Sequence, residues 1–345
     1  MKKYLLSLSV LFFLLAPGAD AALTNFRTFT AEGAGISIDA VGLETGVEGV
    51  IQAEIPAAAV VEAAYLYSAA VAVVPLADVD FQRETQTSDD SSRLDVGSKD
   101  ANFGSENRWD VTSIVAPILN SQAGAGPVDF SVKENEFLDG EILAVLYSVS
   151  GDPIKTAFIF DGELATTGDV FDINLSSSYD GSSEVVFSLG ISYGLQNMND
   201  MGQFTQVDVN GSRLTTSAGG QDDGFDYVFG GLITAGGIGD SLDNPINPDA
   251  KPDGDPHLDD ELYNLSSFME AGDNQISIAT FNESNDDNVF FAALVVDGKA
   301  SVDTSSDPGS GSDPGPAPVP EPGTLLLLGT GLLGLAARYR STIGK

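Results

Sequence analysis

The chain has 345 residues, 42% of them hydrophobic, and carries 15 Lys and Arg against 51 Asp and Glu for a formal net charge of −36. Such a charge repels nucleic acid and anionic lipid surfaces, which excludes a nucleic-acid-binding role. There is no cysteine and a single histidine, His257, so disulfides, thiolate metal sites and any centre built on two imidazoles, including the H-E-x-x-H metalloprotease pattern, are excluded as well.

Residues 1–21 read as a secretory signal peptide. Lys2 and Lys3 precede an apolar stretch from Tyr4 to Leu15, and Ala19-Asp20-Ala21 supplies the small-residue cleavage signal. The apolar stretch is too short for a membrane span and ends at Pro17-Gly18. The chain is therefore expected to meet the Sec machinery and signal peptidase.

From Ala22 to Ala300 short apolar or alternating runs are separated by Gly, Asp, Asn and Ser. Strands are expected at "VVEAAYLYSA", "PVDFSVKE", "EILAVLYSVS", "IKTAFIFDG", "SEVVFSLGISYG", "TQVDVNG", "NQISIATFN" and "NVFFAALVVDG". Helix is scarce: "VTSIVAPILN" and "DELYNLSSFM" allow a turn or two, with Asp110 and Asp259 or Asp260 as caps. The pattern predicts an all-β body, one large or two tandem β-sandwich or jelly-roll-like domains.

An internal repeat favours two. "RWDVTSIV" followed by "VDFSVKENEFLDGEILAVLYS" aligns with "ELYNLSSF" followed by "NQISIATFNESNDDNVFFAALVV", and "AYLYSAAV" with its later "VDFQ" aligns with "GISYGLQN" and its later "VDVNG". The expected division is residues 22–155 and 156–300, with a single larger sandwich as the rival.

Few constellations carry chemistry. Gly190-Ile191-Ser192-Tyr193-Gly194 matches the G-x-S-x-G nucleophile elbow, but no amphipathic helix follows it and His257 sits in a Pro/Asp loop. Acids are so plentiful that no glycosidase pair stands out. The loop from Asp240 to Glu261 is the densest in carboxylates, and hard cations such as calcium take oxygen ligands of this kind. Asp249, Asp253, Asp255, Asp259 and Asp260 are the candidate calcium ligands, with Asp243 nearby. Placed on the EF-hand template, Asp249, Asp253, Gly254 and Asp260 fall at positions 1, 5, 6 and 12, but Lys251 occupies position 3, so an irregular clamped loop is the expectation. The second acidic stretch, "NESNDDNVFF", reads first as a turn. Trp109, the only tryptophan, is expected in the core rather than on a sugar-stacking face.

Ser301 to Pro322 is Ser-, Pro-, Gly- and Asp-rich, and residues 301–318 are expected to form a disordered or extended linker. Residues 319–345 follow as a unit. Val319-Pro320-Glu321-Pro322 precedes fifteen uncharged residues, Gly323 to Ala337, and then Arg338, Arg340 and Lys345. As a helix the run spans about 22 Å, short of a ~30 Å hydrocarbon core, and its basic tip is retained on the cytoplasmic side. The order V-P-E-P, apolar helix, basic tip resembles the PEP-CTERM sorting signal of Gram-negative bacteria. That resemblance implies recognition by exosortase, a membrane protease, transient anchoring in the inner membrane, and release to the surface or the exopolysaccharide-rich matrix. Without the leader (Lys2, Lys3, Asp20) and the tail (Arg338, Arg340, Lys345), 10 bases and 50 acids remain, a net −40. Three functions stay open: a non-enzymatic surface or matrix protein, a calcium-assisted carbohydrate-binding module for exopolysaccharide, and a secreted hydrolase.

Overall fold

Strand periodicity separates two kinds of strand in this chain. The computed structural model, which describes residues 23–70, 78–89, 91–94, 105–162, 168–192, 205–219, 223–224, 231–249, 261–282 and 288–303, shows where each kind goes. In chain order the first half holds β1 (Thr24–Glu32), β2 (Gly35–Val41), β3 (Glu48–Ala53), β4 (Ala59–Ala70), β5 (Val79–Phe81), β6 (Glu84–Gln86), β7 (Ser105–Asp110), helix α1 (Thr112–Ser121), β8 (Val128–Glu134) and β9 (Gly140–Val149). The second half holds β10 (Ile154–Asp161), β11 (Asp169–Leu175), β12 (Val186–Ser192), β13 (Thr205–Val209), β14 (Ser212–Ala218), β15 (Ile233–Ala235), β16 (Leu262–Asn264), a 3-10 turn at Leu265–Phe268, β17 (Gln275–Phe281), β18 (Asn288–Asp297) and β19 (Ala300–Val302).

Runs that alternate, such as "VDFSVKE" in β8, "TQVDV" in β13 and "QISIATF" in β17, bury every second residue. They form two outer sheets, ordered β3-β8-β5-β6 and β19-β11-β17-β13-β14. Runs without alternation, "GEILAVLYSV" in β9 and "NVFFAALVVD" in β18, are buried on both faces. They form two inner sheets, ordered β2-β9-β4-β7 and β1-β10-β18-β12-β15, with β16 also paired to β12. All pairings are antiparallel.

Three apolar layers lie between these four sheets. In the first sandwich Leu66 and Leu143 of the inner sheet meet Phe81 and Phe130 of the outer one, with Val115 and Leu119 of α1 added at the side. The second layer joins the inner sheets through Tyr67, Ile142, Ile159 and Phe291. The third, in the second sandwich, packs Phe160, Phe187 and Leu294 on Phe171 and Ile278. Each fully buried side chain of this size contributes roughly 1.5–3 kcal/mol.

The two sandwiches have the same strand order. Inner order β2-β9-β4-β7 matches β10-β18-β12-β16, and outer order β3-β8-β5-β6 matches β11-β17-β13-β14. Local details repeat too. Asp110 accepts from the Thr112 amide (2.9 Å) and Asn264 from the Ser266 amide (3.0 Å). The hydroxyl of Thr112 then accepts from the amide of Ala64, as that of Ser266 does from Val185. The β5–β6 turn holds Gln82 and Arg83 at positive φ, and the β13–β14 turn holds Asn210 and Gly211 likewise, the backbone of a type I′ hairpin.

Four details differ from the sequence expectation. The division at 155/156 falls inside β10, and β1 from the first half pairs with that strand. The cap of the second short helix is Asn264, preceded by β16, not Asp259 or Asp260. Asp110 stands one residue before the N-cap of α1, Val111. Ser301 and Val302, assigned to the linker, belong to β19 and pair with β11. No helix among the described residues is long and apolar enough to cross a membrane; the apolar runs at 4–15 and 323–337 lie outside those residues.

Candidate functional site

Edge strand β2 stops short of covering the inner sheet beneath it, and the step leaves a groove of about 660 Å³. Its apolar lining includes Ile36, Val186, Ala293 and Val295, residues of β2, β12 and β18. The phenol ring of Tyr147 lies against Gly35, where an added Cβ would meet its Cζ at 2.4 Å. Only glycine leaves the ring that seat. Burial, and then the nearby charge of Glu54, raise the pKa of Tyr147 above its ordinary value, so it is a neutral donor at physiological pH. The rim carries Glu54, Asp152 and Glu184 with one base, Lys155, which is itself paired to Asp297 at 3.1 Å. An apolar floor, one aromatic ring and an acidic rim suit an uncharged or cationic extended ligand and repel an anionic one.

The residues singled out in the sequence do not gather here. Ser192 ends β12, fully buried, 3.2 Å from Asn288 Nδ2. Gly190 serves packing between the inner sheets: a Cβ there would meet Ile142 Cδ1 at 2.4 Å and Phe291 Cβ at 2.9 Å. Tyr193, Gly194 and His257 lie outside the described residues, so of the G-x-S-x-G match only a buried strand end is seen. Trp109 is buried and donates to the carbonyl of Thr87 at 2.9 Å, a core role as expected.

Of the calcium candidates, Asp249 is exposed; Asp253, Asp255, Asp259 and Asp260 lie outside the described residues. In the described part of that loop acids act as turn acceptors: Asp240 takes the Gly237 amide at 2.6 Å. Asn244 pins the loop to β16 by exchanging two hydrogen bonds with the backbone of Asn264, at 2.6 and 2.9 Å. No three acidic or histidine side chains among the described residues are gathered closely enough to hold a metal ion.

Sequence reading missed a set of acids buried inside the sheets. Asp39 accepts from the amide of Gln52, and burial pushes its pKa up to about 7. Asp161 receives hydrogen bonds from Arg108 and, at 3.0 Å, from Tyr67; burial still holds its pKa above the usual carboxylate range against the pull of Arg108. Arg108 lies 3.4 Å over the centroid of Phe26, so a charge pair and a ring clamp the two inner sheets together. The available signal was an acid inside an apolar run, as in "GISIDAV" and "IKTAFIFD".

Comparison with known proteins adds one firm result. The family model described as the PEP-CTERM protein-sorting motif matches residues 318–341. The chain thus carries a PEP-CTERM protein-sorting motif at its C-terminal region, which supports an exported protein sorted through exosortase, a membrane protease. Val319, Pro320, Glu321, Pro322, Arg338 and Arg340 fall within the match, outside the described residues. No curated protein matches the chain. Among solved structures it is similar to a β-porphyranase of glycoside hydrolase family 86 from the human gut bacterium Bacteroides plebeius, at 10% identity and a TM-score of 0.20. That match covers 84% of this chain and 38% of the other, and at such a score it carries no argument.

Proposed function

We propose that the chain is a non-enzymatic protein of the cell surface or extracellular matrix, whose β body is displayed once exosortase has acted on its tail. The single observation that supports this reading is the sorting motif at 318–341. The body is consistent with it: Ser192 is buried within a sheet, and several buried carboxylates serve as acceptors for backbone amides. Replacing Pro320, Glu321 and Pro322 by alanine tests the reading. The exported wild-type protein should have an intact mass lacking the leader and the apolar tail, and the variant should remain in the membrane fraction with its tail attached. Recovery of both forms solely in the cytoplasm sinks the proposal, and turnover of a polysaccharide by the purified protein sinks its non-enzymatic part.

A second reading, carbohydrate binding to exopolysaccharide, is favoured by the groove beside β2. Tyr147 offers a ring face, and Glu54 and Glu184 offer acceptors for sugar hydroxyls. A glycan array run with wild type and Tyr147→Ala decides it: binding that the variant loses supports the reading, and no binding by wild type ends it.

A further inference from the structure

The two sandwiches share one topology, so each position of the first has a counterpart in the second. Leu66 pairs with Leu143, and Phe187 with Leu294. Two residues further along β4 and β12, the pair Ser68 with Glu141 corresponds to Leu189 with Ala292. In the outer sheets Glu134 stands opposite Val79 as Thr280 stands opposite Val207. The fold therefore accepts leucine and alanine where the first sandwich places a serine and a glutamate. The polar set is not demanded by the architecture.

It is also costly as it stands. Glu134, Glu141 and Ser68 are all 0% exposed. Both carboxylate oxygens of Glu141 and the hydroxyl of Ser68 have no hydrogen-bond partner, and one oxygen of Glu134 makes no well-formed hydrogen bond, although the Leu138 amide lies near that carboxylate. The other oxygen of Glu134 accepts from the amide of Leu43 at 2.8 Å. Alternation places Ser68 and Glu141 on the face that carries Leu66 and Leu143, toward the outer sheet, where Glu134 shares the buried face of Val132. The charges acting on this pair, besides each other's, come from Asp139, itself 1% exposed. An uncompensated buried carboxylate costs several kcal/mol, and a second beside it costs more.

We propose that the space between Glu134 and Glu141, at the end of the first sandwich, is a site for a hard divalent cation of the calcium class, with Ser68 Oγ and Asp139 as further oxygen donors. The donors are all oxygen, which selects calcium, magnesium or manganese over zinc or copper. The acids are not yet closed around one point; binding draws them together, with the cation entering as the carboxyl protons leave. The site uses none of the residues 249–260 and is independent of what the groove binds.

Thermal melting of the exported protein tests it. After chelator treatment, 10 mM calcium at pH 7.5 should raise Tm by about 2–3 °C over sodium chloride of equal ionic strength, the size expected for a concentration roughly tenfold above Kd. Glu141→Ala and Ser68→Leu install the residues that the second sandwich already uses, so both should fold. The first should lose the calcium response, while Asp253→Ala with Asp255→Ala should keep it. Three results overturn the proposal: no response to calcium, magnesium or manganese in wild type, a response that survives Glu141→Ala, or one abolished only by the loop variant. In the first case, a Tm that rises as pH is lowered from 7.5 to 5.5 would identify the pair as neutral acids.

Discussion

Replacing Arg108 by leucine removes the cation paired with Asp161, whose side chain is 7% exposed against 26% for the arginine. Breaking a buried pair from one side costs about 3–5 kcal/mol, and the partly exposed arginine puts the expected loss near the lower end, about 3 kcal/mol at pH 7.5. Burial already holds the pKa of Asp161 above the usual range with Arg108 present; without it the pKa rises further, leaving the Tyr67 hydroxyl as the remaining donor of the pair's network. The unfolded chain loses this proton near pH 4 and the folded variant retains it to higher pH, so the deficit grows as pH rises between those values. More of Asp161 is protonated at pH 5 than at pH 7.5, so the cost of Arg108→Leu should be smaller there; the part that does not titrate is the loss of the guanidinium over Phe26, about 1 kcal/mol. Urea unfolding at pH 5 and pH 7.5 measures both values. Removing Asp161 as well, by Arg108→Leu with Asp161→Leu, should recover part of the loss at pH 7.5. Equal costs for Arg108→Leu at the two pH values, or a cost below ~1 kcal/mol at pH 7.5, would refute the reasoning.

Arg83 occupies the second position of a type I′ turn at φ 67°, where the other hairpin has Gly211 at φ 76°; Arg83→Gly should stabilise by about 0.5–1 kcal/mol, read as a Tm rise of roughly 1–3 °C. In the absence of divalent cations, stability should fall as pH rises from 4.5 to about 8, the interval in which folded Glu134 keeps a proton that the unfolded chain has released. The slope for that group is about 1.4 kcal/mol per pH unit, and Glu134→Gln should lessen the total slope by that amount, leaving the parts due to Asp39 and Glu141. A stability profile level across this interval would show that Glu134 is solvated or already compensated.

Most of the strands were legible because burial imposes a period on the sequence. "QISIATF" alternates since one face of β17 joins the apolar layer of Phe160, Phe187 and Leu294 while the other is turned away from it. "EILAVLYSV" does not alternate since β9 lies between two other layers, and that continuity was the unread sign that sandwiches stack on each other. The repeat was also visible, through "RWDVTS" against "ELYNLSS", since both segments tie a short helix back onto the next strand of the sheet by the same pair of hydrogen bonds. Short strands were not legible: β15 and β16 have three residues each, and their position against β12 is decided by tertiary contacts. The sorting motif needs no fold to be recognised, since proline, glutamate and a charge-free run suffice. The groove and the pairing of Glu134 with Glu141 depend on which residues two sheets bring face to face, and no spacing along the chain encodes that.

The last strand of the body sets how a pull from the surface would be borne. A load entering through residue 303 meets β19 first, held to β11 by three residue pairs and by the amide of Asp303 on the carbonyl of Asp172 at 2.6 Å. Behind it, across the turn at Gly298 where the chain passes from the inner to the outer sheet, stands β18, locked by seven pairs to β10 and seven to β12. Such a sequence of weak then strong makes β19 a mechanical fuse: it can peel away and reseat while the stacked sheets stay intact. A protein exposed to shear at a cell surface would lengthen by a few residues under tension before any of its apolar layers opened to water.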